Sequence, residues 1–82
     1  MAAGYQEVVR LAGGSTLIAR VCADRGYRLG LYRRGAPLVE FWSDGAAHRR
    51  RAGDRTFTYE FRSIEQLRYD FERDAQDALD RD

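Results

Sequence analysis

The residues best equipped for chemistry in this chain are its arginines and the aromatics beside them. Arg33-Arg34, Arg49-Arg50-Arg51 and Arg55 stand close in sequence to Tyr32 and Trp42, with Arg28 just upstream. A guanidinium fork binds carboxylates and phosphates through paired hydrogen bonds and stacks on aromatic rings. Such a set recognises an anionic partner and does not by itself make or break bonds. Arg28, Tyr32, Arg33, Arg34, Trp42, Arg49, Arg50 and Arg51 are therefore the expected partner-binding residues.

Bond-making chemistry has little to draw on. His48 is the sole histidine, and a hydrolytic triad would need Ser15, Ser43 or Ser63 beside it together with an acid. None of these serines sits in the strained elbow that exposes a nucleophile, and Ser63 reads as a helix cap. One His and one Cys give no metal-ligand spacing. Gly13-Gly14 lacks the Lys-Ser/Thr continuation of a phosphate-binding loop. Cys22, alone in an apolar run, reads as a small buried hydrophobe rather than a reactive thiol, and it excludes a disulfide framework. The chain reads as non-enzymatic, without cofactor or metal.

These residues must be positioned by a small body. Eighty-two residues make one domain spanning 1–82, whose core is marginal by size; domains this small often recover stability by docking on something larger or by forming a homodimer. The apolar fraction of 44% is ordinary for a globular chain. All fourteen basic residues are Arg, a bias that a GC-rich coding genome produces without functional demand. Net charge is +1, yet residues 25–55 hold eight Arg against Glu40, Asp44 and Asp54, while residues 60–82 hold four Arg against eight acids. A basic middle is thus joined to an acidic end, which favours charged partners. No segment approaches membrane-spanning length and no basic-then-apolar leader opens the chain, so it reads as cytoplasmic with no membrane partner.

Hydrophobic spacing sets the elements. Residues 5–12 fit either a helical face or a strand, and the paired valines Val8-Val9 favour the strand. Residues 16–23 alternate Leu17, Ala19, Val21 and Ala23 against Thr16, Ile18, Arg20 and Cys22. Asp24-Arg25-Gly26 is a turn, Tyr27, Leu29 and Leu31 form the next strand, Arg33-Arg34-Gly35-Ala36 is a hairpin tip, and Pro37 opens a strand to Ser43. Residues 44–55 form an Arg-rich connection that could in part prolong its neighbours as a long hairpin. Phe57, Tyr59 and Phe61 alternate in a strand over 56–62. Ser63 and Gln66 then supply a capping box for a helix from about 64 to 79, with Ile64, Leu67, Phe71, Ala75 and Ala78 in one stripe and Asp70, Asp74 and Asp77 on another face. The assembly expected is α+β: an antiparallel meander of four or five strands with the C-terminal helix packed on one face. Phe57, Phe61, Leu67 and Phe71 are the expected core.

Two strands read as apolar on both faces, through Leu17-Ile18 and through Leu38-Val39 with Phe41-Trp42. One helix covers one face, so the other calls for the N-terminal segment, a second copy or a partner. With Arg, Tyr and Trp enriched at binding hot spots, the expected function is a protein-interaction module. Replacing Arg49–Arg51 with Ala should weaken that binding and leave stability nearly unchanged. The alternative is a nucleic-acid platform, provided Tyr32 and Trp42 share a face with Arg20 and Arg28; the acidic helix argues against it.

Glu60-Phe61-Arg62-Ser63-Ile64-Glu65-Gln66-Leu67, with Phe71 downstream, resembles the final strand and helix start of small phage-encoded anti-CRISPR proteins that inhibit type I effector complexes. In that family a meander of short strands and Gly-containing hairpins also precedes an acid-Phe-x-Ser-x-Glu-Gln-Leu segment. The likeness is close over residues 60–71 and extends in layout over 27–71. It implies a non-catalytic inhibitor that binds an effector subunit and blocks access to nucleic acid. The family's contacts lie on an exposed basic sheet, where Arg28, Arg33 and Arg34 occupy loosely corresponding positions. The Arg-rich segment 46–55 and the acidic C-terminus have no counterpart there.

Overall fold

A computed structural model describes residues 4–11, 13–22, 26–44 and 46–81. Six strands run in chain order: β1 Gly4–Arg10, β2 Ser15–Cys22, β3 Gly26–Arg33, β4 Ala36–Asp44, β5 Ala47–Ala52 and β6 Arg55–Thr58, followed by helix α1 Ile64–Asp80. Each strand pairs antiparallel with the next, giving a single sheet in the order β1 to β6. The α+β meander is as the sequence reads, with six strands rather than four or five. The additional strand is β5, hidden in the Arg-rich connection. Residues 5–10 lie in a strand, paired with β2 in unbroken register from Gly4–Cys22 to Arg10–Thr16. The turn over 24–26 falls partly on residues outside the described ones, as do Ala23 and the side chain of Cys22.

Local chemistry explains the connections. Arg34 and Gly35 both take positive φ (53° and 81°), the mirror-image turn whose twist matches the strands of a two-residue hairpin. Just beyond it the β3–β4 register slips: Leu31 faces Val39 while Tyr32 faces Pro37, leaving Leu38 as a bulge beside the proline. Ser63 caps α1 by accepting from the Gln66 amide at 3.1 Å. The reciprocal half of the expected box does not form, because the Gln66 side chain donates forward to Asp70 Oδ1 at 2.9 Å.

Strand parity divides the sheet. On the helix side Glu7, Ala19, Leu29, Phe41, Arg50 and Phe57 form one transverse row, and Val9, Leu17, Leu31, Val39 and Ala52 the next. Tyr27, Leu29, Leu31, Val39, Phe41, Tyr59, Leu67, Phe71 and Ala75 make the core. Phe41 is fully buried, meeting Tyr59 and Phe71 edge-on at 5.0 and 5.9 Å. Leu67 and Phe71 are core as expected. Phe57 is not: β6 is the last strand of the sheet, and the ring stays 43% exposed. Phe61 is partly buried, and Ile64 is exposed at the mouth of the helix.

Tyr27 and Tyr59 tie the core to its rim. Tyr59 donates to Asp70 Oδ2 at 2.7 Å, and the Tyr27 hydroxyl meets His48 Nδ1 at 3.0 Å inside a stack with Phe61. His48 is thus a packing residue of this stack. Burial pushes the Tyr27 hydroxyl up to about 12. Burial, reinforced by the bond to Asp70, raises Tyr59 well above the ordinary tyrosine value. Both folded-state values exceed the reference of 10.0, so the stabilisation is complete below that pH and drains as pH climbs through the folded values. Denaturant midpoints should hold up to about pH 10 and fall steeply by about pH 12. Phenolate absorbance from these two rings should develop together with unfolding; its appearance in a protein still folded would refute the assignment.

Candidate functional site

The sheet face opposite α1 is where the expected site residues meet. Register places Gln6, Arg20, Arg28, Trp42, Arg49 and Thr58 in one row across all six strands, and Val8, Ile18, Gly30, Glu40, Arg51 and Thr56 in the row beside it. Arg10, Thr16 and Tyr32 begin a third. Five arginines, Arg10, Arg20, Arg28, Arg49 and Arg51, therefore share this face. Among its described side chains Glu40 is the single acid.

Glu40 organises the centre. It is only 8% exposed, although it lies on the face away from the helix. Tyr32 donates its hydroxyl to Oε2 at 2.8 Å, Arg28 Nη1 reaches the same oxygen at 3.1 Å, and Arg51 Nη1 stands 3.9 Å from Oε1. Gly30 makes this possible. A Cβ there would lie 2.5 Å from Tyr32 Cε2, so only glycine leaves the ring room to fold back towards the carboxylate. Burial and the bond to Glu40 together raise the Tyr32 pKa. The Arg28 guanidinium carbon sits 5.5 Å from the centre of the Trp42 ring, a cation–π arrangement that fixes both side chains.

Of the eight expected residues, Arg28, Tyr32, Trp42, Arg49 and Arg51 thus lie together on the open face. Arg33 and Arg34 lie at the β3–β4 hairpin end, where Arg33 Nε donates to the buried Ser15 hydroxyl at 3.4 Å and Arg34 is exposed in the turn. Arg50 points the opposite way. It faces the helix, 3.6 Å from Asp74, with its guanidinium 5.8 Å above Phe41 and 5.6 Å from Phe57. Burial raises the Asp74 pKa against the opposing charges of Arg50 and Arg73. For Asp70 burial also pushes upward, but the bonds from Tyr59 and Gln66 and the same arginines outweigh it and lower the value. Arg50 holds the helix to the sheet.

The open face is less apolar than the sequence suggests. Val8, Ile18 and Trp42 lie on it, but they share it with five arginines, Tyr32 and Glu40. Leu38 sits at the bulge and packs against the core. Glu40 and Arg10 are outside the expected site residues, and Arg20 enters them only through the nucleic-acid alternative. An acid inside the run Leu38-Val39-Glu40-Phe41-Trp42 was the available signal, because a charge in an apolar strand needs partners close by.

The acids of α1 lie on the other side of the sheet. Glu65, Glu72, Asp77 and Asp80 are exposed along the helix, while Asp74 is turned to Arg50 and Asp70 to Tyr59. Arg28, Arg49 and Arg51 of the basic middle thus lie on the face opposite the helix acids, while Arg50 crosses to meet them. Among the described residues no three His, Cys, Asp or Glu side chains converge as a metal site requires, and no helix is long and apolar enough to cross a membrane.

No family model, curated protein or solved structure matches this chain. The reading of its function therefore stands on the geometry of the open face.

Proposed function

We propose that this protein is a non-enzymatic binding module of the cytoplasm that uses the open face of its sheet to hold an acidic surface of another protein. The observation that carries the reading is the row Arg20, Arg28, Trp42 and Arg49, set on the face turned away from every helix acid. Guanidinium forks over an aromatic are suited to carboxylates, and Arg and Trp are over-represented among residues that dominate binding energy. Glu40 supports a protein partner in particular. It holds Arg28 and Tyr32 in place before binding, and Arg28 already occupies one face of Trp42, as a preorganised interface requires. The resemblance of residues 60–71 names one partner to test, a type I CRISPR effector complex inhibited by occlusion of its nucleic-acid path.

One observation favours a second reading. Tyr32, Trp42 and five arginines share a face from which the helix acids are excluded, so the objection that those acids would repel a polyanion loses its force. Single-stranded nucleic acid then becomes the competing ligand.

The test compares the parent with the double variant Arg28→Ala, Arg49→Ala against purified type I effector complex and against single-stranded and duplex oligonucleotides at near-physiological salt. The expected result is binding to the protein complex that the variant weakens by roughly 10-fold or more, with no mass shift on either oligonucleotide. Binding to an oligonucleotide that collapses with added salt would install the second reading. Retention of full affinity by the double variant would remove the open face from the function.

A further inference from the structure

The two edges of the sheet are built differently. β6 is short, four residues of Arg55–Thr58, and its polar threonines alternate with Arg55 and Phe57. Short length and charge are the usual protections of an exposed edge. β1 has neither a proline nor a bulge, runs for seven residues, and carries Glu7 and Arg10 as its only charges. Three of its side chains, Tyr5, Val8 and Val9, are large hydrophobics left 48%, 50% and 38% exposed.

Beside this edge, on the helix side, lies an apolar groove of about 240 Å³ between β1–β2 and α1. Val9, Leu17, Val21, Leu67 and Phe71 line it, with the exposed Ile64 at its rim. The unpaired backbone and the uncovered side chains are thus adjacent, and one added strand would answer both.

We propose that this strand is β1 of a second copy, paired antiparallel about a two-fold axis at Val8. The backbone direction fixes the register. Leu11 N–H donates to Ser15 O at 2.8 Å, so odd-numbered residues of this segment turn their amides to β2, and Gln6, Val8 and Arg10 direct theirs outward. A pairing centred on Glu7 would set two carboxylates directly opposite, which is unfavourable. Centring on Val8 instead sets valine on valine, Gln6 against Arg10 of the second copy, and Tyr5 against its Leu11. The pairing is self-complementary, as a two-fold interface must be. Side chains of the second copy's odd-numbered residues then line the open side of the groove. Both open faces end on the same side of a continuous twelve-stranded sheet, opposite both helices. This assembly stands independently of what the open face binds.

The experiment is solution mass by light scattering over a concentration series, on the full chain and on two variants. Val8→Pro deletes an outward amide that makes no bond to β2, a position an edge strand tolerates. Val8→Lys places two like charges at the axis and keeps the amide. The parent should run at twice its 9.4 kDa, and both variants at the single mass with an unchanged helical spectrum. Hydrogen exchange should show the Gln6, Val8 and Arg10 amides protected in the parent and open in Val8→Lys. A parent that stays monomeric throughout the series overturns the proposal and leaves the edge to a strand of another protein. So does a dimer that Val8→Lys does not disturb, because a different surface then holds it. Should Val8→Pro not fold, the amide of Val8 faces β2 and the register is refuted.

Discussion

Truncating Phe41 to alanine is expected to cost about 3–5 kcal/mol and to lower the melting temperature by roughly 15–30 °C. The ring is fully buried on β4, one of the two middle strands, and it meets both Tyr59 beyond β6 and Phe71 on the helix. Removing it takes away apolar area and leaves a cavity bounded by two aromatics whose positions are fixed elsewhere, so collapse is limited. A domain of this size has a total stability of about 5–10 kcal/mol, and the variant should stand near the limit of folding. Phe57→Ala is the control. That ring lies two strands away on the same transverse row and is 43% exposed, so its loss should cost under about 1 kcal/mol. Denaturant unfolding of the two variants measures the difference, and equal costs would mean that the helix does not seat where the structure places it.

The Arg49-Arg50-Arg51 run should split when its members are replaced one at a time. Arg50→Ala is expected to lower stability by about 2 kcal/mol, because it strips Asp74 of the cation 3.6 Å away and leaves an acid facing the core rim. Arg73 stands 3.9 Å from the same carboxylate and moderates the loss. The pair is partly open to water, which keeps the figure below that of a fully buried ion pair. Arg49→Ala and Arg51→Ala should each change stability by less than about 0.5 kcal/mol, since Arg49 is exposed and the half-open Arg51 makes only a long 3.9 Å contact to a Glu40 that keeps Arg28 and Tyr32. The expectation that all three could be replaced without cost is thereby narrowed to two. A stable Arg50→Ala protein, or an unstable Arg49→Ala protein, would reverse the assignment of faces.

These two cases also show what was legible beforehand. The meander could be read because glycines punctuate it and because neighbouring strands with short links pair with each other. The helix could be read from Ser63 and the stripe Leu67, Phe71 and Ala75. β5 was legible only as a segment that could prolong its neighbours, and not its facing, because alternation is detected as a change of residue type, and Arg49, Arg50 and Arg51 are identical. Only the partners opposite them, Trp42, Phe41 and Glu40, reveal that the middle one faces inward. Phe57 misled for a related reason: a strand pattern names the face of a residue, and whether anything covers that face is decided by where the helix ends up. For the site, residue types pointed to the arginines and aromatics, but their gathering around Glu40 depends on register across β3, β4 and β5, which a single sequence does not display.

The separation of arginines and helix acids onto opposite sides of one sheet has a kinetic meaning. The arginines of the open face make that side the more positive one although the net charge is only +1. An acidic partner would exert a torque on the molecule across the roughly 8–10 Å of a Debye length and turn the basic side forward before contact. Added salt should therefore slow association far more than it speeds dissociation.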